Sequence, residues 1–132
     1  MKELATMYRA AQFYAHTAHN VSKGKTFFED HEFFGELYSA YEEAYDGIIE
    51  RMIGLKKEVD PSKITLAAAQ MASHHDSSSN EECLEYLMDY EKALNELIVR
   101  FNKDASLGTQ NFLQGLADQS EMRQYKIGQR LK

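Results

Sequence analysis

Residues 27–54 read FFEDHEFFGELYSAYEEAYDGIIERMIG, a stretch that contains no proline. Apolar side chains recur along it at steps of three and four residues, which is the period of an amphipathic helix. The stripe consists of Phe34, Leu37, Tyr38, Tyr41, Tyr45, Ile48, Ile49 and Met52. Thr26 and Glu29 have the spacing of a capping box that would begin this helix. A helix over these residues is about 40 Å long, a length typical of an elongated bundle.

Three further stretches show the same helical period. The first carries Leu4, Met7, Tyr8, Ala11, Tyr14, Ala15 and Ala18 and ends within residues 20–25. Another opens at a second capping box, Ser79 with Glu82, and continues to about Phe101. The last begins near Gly108 and Thr109. The sequence therefore predicts four long helices.

The connection between the second and third long helices has structure of its own. Asp60 is a predicted N-cap and Pro61 a predicted first helical residue, and the apolar run Ile64–Met71 follows. The sequence predicts a polar loop over residues 74–79. Short links make the other neighbouring helices antiparallel, and one long crossover between two hairpins is the ferritin-like arrangement. We therefore expect an all-α, ferritin-like four-helix bundle, a single domain over residues 1–132, whose crossover carries a short extra helix.

Composition limits the classes of function. The net charge is −6, which argues against electrostatic binding to DNA. The basic C-terminal residues, Arg123 to Lys132, are expected to stay solvated or to complement the helix dipole. Cys83 is the sole cysteine and fits a reducing compartment. No apolar run has the length of a membrane span, and no signal-peptide core follows Met1. We expect a cytoplasmic protein without membrane contact.

Two carboxylates and two imidazoles are the candidate metal ligands. Asp46 and Glu50 lie four residues apart and share one helix face, where they either bind a cation or form part of a solvated surface. His19 and His31 lie on either side of the loop that joins the first two predicted helices. If these helices pack antiparallel, the two imidazoles can approach each other. Imidazole and carboxylate together suit Fe(II), Zn²⁺ and Mn²⁺.

The spacing of these residues limits how they can meet. His31 and Asp46 are fifteen residues apart, or roughly 22 Å along one helix. A metal–ligand bond is only about 2 Å long, so one straight helix cannot bring both groups to one ion. Either the two pairs are unrelated, or a twofold axis brings His31 of one chain to Asp46 and Glu50 of another. None of the histidines has the Glu-x-x-His spacing of an intrachain di-iron centre.

The spacings of 12, 15 and 4 residues that separate His19, His31, Asp46 and Glu50 in turn resemble the ligand signature of the Dps miniferritins. Phe27-Phe28, Leu37-Tyr38, Glu50-Arg51, the crossover helix and the opening of the last helix also fit this family. The resemblance implies a hollow homododecamer with iron as its substrate. His19, His31, Asp46 and Glu50 would form ferroxidase sites between subunits, where hydrogen peroxide oxidises Fe(II), and ferric mineral would be stored inside. Such a protein would limit oxidative stress by suppressing hydroxyl-radical formation.

Two positions depart from the family pattern. Gly35 stands where the family usually has an acidic residue four positions after the second histidine, and Asn20 stands where it usually has tryptophan. The loss of a carboxylate ligand weakens iron binding or changes the number of ions. His16, one turn before His19, is a candidate ligand, but the preferred reading is that it supports the ligands from behind or lies on the surface. The alternative function is a Dps-like shell or helical interaction protein with a degraded metal site. DNA compaction through the basic C-terminal residues is a third reading.

Overall fold

The computed structural model describes residues 1–73 and 78–132. It contains five helices and no strand within these ranges: α1 Lys2–Val21, α2 Phe27–Gly54, α3 Pro61–Met71, α4 Asn80–Asn102 and α5 Leu107–Arg130. The four predicted long helices and the short crossover helix are thus confirmed. Residues 74–77, part of the predicted polar loop, lie outside the described residues.

Of the three predicted N-terminal caps, two are confirmed, and in the third the capping side chain bonds to a different residue. Asp60 accepts from the backbone N–H groups of Ser62 and Lys63, with Pro61 at the first helical position. Ser79 and Glu82 form the reciprocal capping box, at 3.1 and 3.2 Å. The predicted Thr26–Glu29 box is wrong: the Thr26 hydroxyl donates instead to Asp30 Oδ2 at 2.7 Å. Asp30 is buried and competes successfully for this hydroxyl, whereas Glu29 faces solvent.

The described residues form two compact units, Met1–Cys83 and Leu84–Lys132. In the first unit, α1 and α2 pack antiparallel, because Gln12 contacts Glu42 while His19 contacts His31. Alanines provide much of the buried face of α1 and allow close packing; they are Ala5, Ala10, Ala11, Ala15 and Ala18. Phe34 and Tyr41 of α2 are fully buried. Truncating an aromatic residue such as Phe34 to alanine would cost about 3–5 kcal/mol.

The C-terminus of α2 is closed by a Schellman-type motif. The N–H of Lys57 bonds to the Met52 carbonyl and that of Lys56 to Ile53. Lys56 has a φ of 57°, the left-handed conformation that this motif requires of the residue after the cap. The motif ends α2 one turn beyond Glu50, so both candidate carboxylates lie on continuous helix.

The second unit is the antiparallel α4–α5 hairpin. Its centre is a buried ion pair between Glu91, which is fully buried, and Arg123 Nε at 2.5 Å. The Ser120 hydroxyl donates to the Glu91 carbonyl. Leucine and isoleucine side chains fill the rest of the unit; they are Leu84, Leu87, Leu94, Ile98, Leu113, Leu116 and Ile127. None of the described helices is long and apolar enough to cross a membrane.

Candidate metal centre

His19 and His31 meet at the end of the α1–α2 hairpin. Their rings stack with centroids 3.7 Å apart and an interplanar angle of 22°. The hairpin loop of residues 22–26 is short enough to place the last turn of α1 beside the first turn of α2. The predicted approach of the two imidazoles is therefore confirmed.

Reciprocal hydrogen bonds set the orientation of both rings. His19 Nδ1 lies 2.7 Å from the His31 carbonyl oxygen, and His31 Nδ1 lies 2.9 Å from the His19 carbonyl oxygen. A carbonyl can only accept, so each Nδ1 must carry the proton that it donates. In the neutral imidazole the lone pair then lies on Nε2, which is the nitrogen available to a metal ion. The backbone thus selects the tautomer that binds metal through Nε2 at both positions.

A polar cluster, buried except for Lys23, holds the chain beside His31. The Asn80 side-chain amide donates to the Lys23 carbonyl at 2.8 Å and to Asp30 Oδ2 at 3.0 Å, and its oxygen accepts from the Lys23 N–H at 3.1 Å. The Ser22 hydroxyl donates to the His19 carbonyl at 2.9 Å. We refer to Ser22, Lys23, Asp30 and Asn80 as the corner cluster. It fixes both ends of the hairpin loop and hence the backbone carbonyls that orient the imidazoles.

Aromatic rings enclose the histidine pair on both sides. Phe27 stacks on His31 with centroids 4.8 Å apart. Tyr38 meets the His19 ring edge-on at 5.4 Å and stacks on His16 at 4.2 Å. Such contacts restrict the rotation of each imidazole and reduce the entropy lost when a ligand fixes it.

Asp46 and Glu50 lie elsewhere on α2. Both are exposed, and each is one or more turns away from Glu42, which accepts a 2.8 Å hydrogen bond from the Gln12 amide. Within the described ranges, no group of three or more His, Cys, Asp or Glu side chains is placed to hold a metal ion. One chain therefore brings together His19 and His31 but does not bring Asp46 or Glu50 to them.

Comparisons with known proteins identify the family. A model of the ferritin-like domain family matches residues 1–132. This chain belongs to the ferritin-like family. None of the curated proteins compared with it matches. Among solved structures, it is similar to a mutant of Dps1 from Mycobacterium smegmatis, with 17% identity, a TM-score of 0.79, and coverage of 99% of this chain and 91% of that one. Its fold is thus the Dps-type ferritin-like helical bundle.

Gly35 has a steric role in this ferritin-like chain. A Cβ atom built there would lie 3.3 Å from His19 Nδ1 and 3.4 Å from its Cε1. Because Gly35 has no side chain, the His19 ring can lie close to the α2 backbone at this position. Any side chain at this position would require the His19 ring to shift by a few tenths of an ångström.

Other candidates contribute less to a metal site. Burial raises the pKa of the Cys83 thiol, an effect partly offset by its hydrogen bond with Tyr14, so Cys83 is not a ready thiolate ligand. His74, His75 and Asp76 lie outside the described residues. Asp30 and Asn80 were missed by sequence reasoning. Asn80 is 57 residues from Lys23, and no local pattern indicates a contact over that separation.

Proposed function

We propose that this protein is a cytoplasmic, single-domain miniferritin of the ferritin-like family, which assembles into a hollow homododecamer. It oxidises Fe(II) with hydrogen peroxide and stores the ferric product. Each site consists of His19 and His31 from one chain and Asp46 and Glu50 from a second copy. DNA binding at physiological salt is weak or absent, because the charge of −6 per chain is multiplied by assembly.

The orientation of the two imidazoles is the observation that carries this proposal. A half-buried imidazole needs a partner for its N–H in any role, and a partner on Nδ1 leaves the Nε2 lone pair free for a metal ion. Here both bonds are made, and both Nε2 atoms are left as the metal-binding nitrogens. Hydrogen bonding of the second ring nitrogen is the usual support of a metal-bound histidine.

The charge and exposure of α2 support a shared site. The helix carries eight carboxylates and a single cationic residue, Arg51. Asp46 and Glu50 face solvent, and a face of this charge attracts divalent cations. Antiparallel packing of α2 on a twofold-related α2 would place these carboxylates near the histidine pair of the other chain and would create two equivalent sites.

The reaction consumes both reagents of hydroxyl-radical chemistry. Two Fe(II) ions each lose one electron and one hydrogen peroxide molecule takes both, with cleavage of its O–O bond: 2 Fe²⁺ + H₂O₂ + 2 H₂O → 2 FeO(OH) + 4 H⁺. Imidazole nitrogen and carboxylate oxygen are suitable ligands for iron. The carboxylates favour the Fe³⁺ product by their charge, because the attraction rises with the charge of the ion.

Mixed oligomers test the shared site directly. His31→Ala and Asp46→Ala each remove one half of every site, so either variant alone should bind no Fe(II) stoichiometrically in an anaerobic titration and should show no peroxide-driven ferric absorbance above the protein-free rate. If the two variants are unfolded together and reassembled, half of the dimers are mixed, and each mixed dimer regains one intact site of its two. About a quarter of the wild-type sites should therefore return. Asp89→Asn on α4 is the matched control and should leave oxidation unchanged.

Gly35 supports a second candidate function, a ferritin-like shell without oxidation. The missing carboxylate removes one oxygen ligand from the site. Wild-type oxidation no faster than the protein-free control, with normal assembly, would establish this function and reject the first. A stable monomer in sizing experiments would exclude the shared site.

A further inference from the structure

A cavity of about 840 Å³ lies at the opposite end of α2 from the histidine pair. Its walls come from the start of α1, the end of α2, the link that follows α2 and the first turns of α3, all within the first compact unit. Ile53 in its wall is 22 residues from His31, or roughly 33 Å along the helix. The cavity is therefore separate from the candidate metal centre, and its volume suits a small-molecule ligand.

Part of the cavity wall is apolar. Ile64 of α3 is buried, Val59 of the link is half-buried, and Ala67 continues this surface along α3. Ile53 also lines the cavity, and 58% of its surface is exposed. A ligand with an apolar body would gain free energy by removing the Ile53 side chain from water.

Three lysines from three different elements line the same cavity. Lys2 begins α1, Lys57 lies in the link after α2, and Lys63 lies in the first turn of α3. All three are exposed, and their ammonium groups make no ion pair with another described residue. The chain has 21 acidic residues against 15 lysines and arginines, so this group of unpaired cations is not a consequence of the overall charge.

The other polar groups at the cavity leave these lysines without a partner. Asp60 Oδ1 accepts from two backbone N–H groups of α3, at 3.1 and 3.2 Å, and its charge stabilises the start of that helix. The Thr6 hydroxyl donates to the Lys2 carbonyl at 2.9 Å. Glu58 is exposed and is the remaining carboxylate among the lining residues. Three ammonium groups against one carboxylate that is not a helix cap make the cavity attractive to an anion.

Hydrogen bonds fix the link at both of its ends. The Lys57 N–H bonds to the Met52 carbonyl at 2.9 Å, and the turn at Lys56 has a φ of 57°. At the other end, the Ile64 N–H bonds to the Asp60 carbonyl at 3.1 Å. The backbone that presents the lysines is thus ordered before a ligand arrives, which lowers the entropic cost of binding.

We propose that this cavity binds a free amphipathic carboxylate, an anion with an alkyl tail such as a medium-chain fatty acid. The carboxylate lies among the ammonium groups of Lys2, Lys57 and Lys63, and the tail covers Ile53 and Ile64. Most of the affinity comes from the tail, because exposed ion pairs contribute little. The lysines select the sign of the head group. This binding is independent of the proposed iron chemistry.

Isothermal titration calorimetry of the assembled, metal-free protein tests the proposal, with dodecanoate below its micelle-forming concentration as the ligand. Wild type should bind dodecanoate saturably. Decanoate should bind about tenfold more weakly, because its tail is two methylene groups shorter. Dodecyltrimethylammonium has the same tail length with a cationic head, and it should also bind about tenfold more weakly than dodecanoate.

Substitution of two lysines tests the selection of charge. Lys57→Gln combined with Lys63→Gln should weaken dodecanoate binding about fivefold and should leave binding of dodecyltrimethylammonium no weaker than in wild type. Lys103→Gln with Lys126→Gln changes the net charge equally at exposed positions that do not line the cavity. This control should bind dodecanoate as wild type does.

Substitution of Ile53 tests the apolar wall. Ile53→Asn should weaken dodecanoate binding about fivefold or more. Leu66→Asn, at a position of α3 that is 63% exposed but does not line the cavity, is the matched control and should have no effect. Circular dichroism and sizing check that each variant folds and assembles, which substitutions of exposed side chains should preserve.

Three results would overturn the proposal. The first is no saturable binding of dodecanoate to wild type, including the case in which the protein binds only to phosphatidylglycerol vesicles in cosedimentation. The second is equal affinity for dodecanoate and dodecyltrimethylammonium. The third is an equal loss of affinity in the lysine variant and its control. None of these measurements requires iron, so each result is independent of whether the protein oxidises Fe(II).

Discussion

The two ends of the proposed site differ in how one chain prepares them. At the hairpin end of α2, stacking, reciprocal backbone hydrogen bonds and the corner cluster hold His19 and His31 in place. About four turns further along the helix, Asp46 and Glu50 are exposed, and neither makes a hydrogen bond or ion pair with another described residue. The imidazoles are organised by folding, whereas the carboxylates depend on another chain for any partner.

This difference separates stability from binding. A change at the histidine end should alter both the folding of the chain and its affinity for metal. A change at the carboxylate end should alter affinity alone, because solvent-exposed helix positions contribute little to the free energy of unfolding. Substitutions at the two ends can therefore test whether the ends belong to one site.

The largest expected effect is the loss of metal binding at the carboxylate end. Asp46→Asn combined with Glu50→Gln should reduce Zn²⁺ affinity of the assembled protein by more than about a hundredfold, measured by isothermal titration calorimetry. The free energy of unfolding in denaturant should change by less than about 0.5 kcal/mol. Glu85→Gln with Asp89→Asn, an exposed pair with the same spacing on α4, is the control and should change neither quantity.

Equal loss of affinity in the α4 control would mean that Zn²⁺ affinity depends on the overall charge of the protein. The assignment of Asp46 and Glu50 as metal ligands would then fail. Undiminished affinity in the α2 variant would separate these carboxylates from the histidine pair altogether.

A smaller effect, now on stability, is expected in the corner cluster. Asn80→Ala removes three hydrogen bonds, one of them to the buried carboxylate of Asp30. The loss should cost about 3 kcal/mol of unfolding free energy, because bonds to charged groups contribute most. Denaturant unfolding measures it, and metal affinity should fall as well. Asn111→Ala, at an exposed position of α5, should be nearly neutral; similar losses in the two variants would show that the cluster does not stabilise the corner.

The smallest effect concerns the space beside His19. Alanine is favoured over glycine inside a helix by up to about 1 kcal/mol, and Gly115→Ala should gain this amount, since a Cβ there has no neighbour within 4 Å. At Gly35 the new Cβ would press on a ring that His31 and Tyr38 hold from other sides. Gly35→Ala should therefore lose about 1 kcal/mol. Thermal unfolding of both variants compares them; a gain at Gly35 equal to that at Gly115 would show that the His19 ring moves freely.

The sequence predicts features that depend on nearby residues. Helix positions follow from the period of apolar side chains, and the Asp60 and Ser79 caps from spacings of two or three residues. The approach of His19 to His31 follows from a short loop. The Thr26 prediction fails because a buried acceptor four residues away is better placed than the one three residues away. The ring tautomers, the contact of Gly35 with His19 and the role of Asn80 depend on tertiary packing and leave no periodic signal.

The amide of Asn80 joins two backbone positions that lie 57 residues apart in the chain. Its two bonds to Lys23 imitate the paired N–H and C=O contacts of neighbouring β-strands, in a protein whose described residues contain no strand. They close a long loop of the chain, from residue 23 to residue 80, which contains α2 and the crossover with α3. As long as the chain between these residues is uncut, the entropic cost of closing the loop depends only weakly on its length. A protease that cut the crossover would make the same contact depend on the association of two fragments, and the histidine corner would then lose the support of Asn80 as the fragments were diluted.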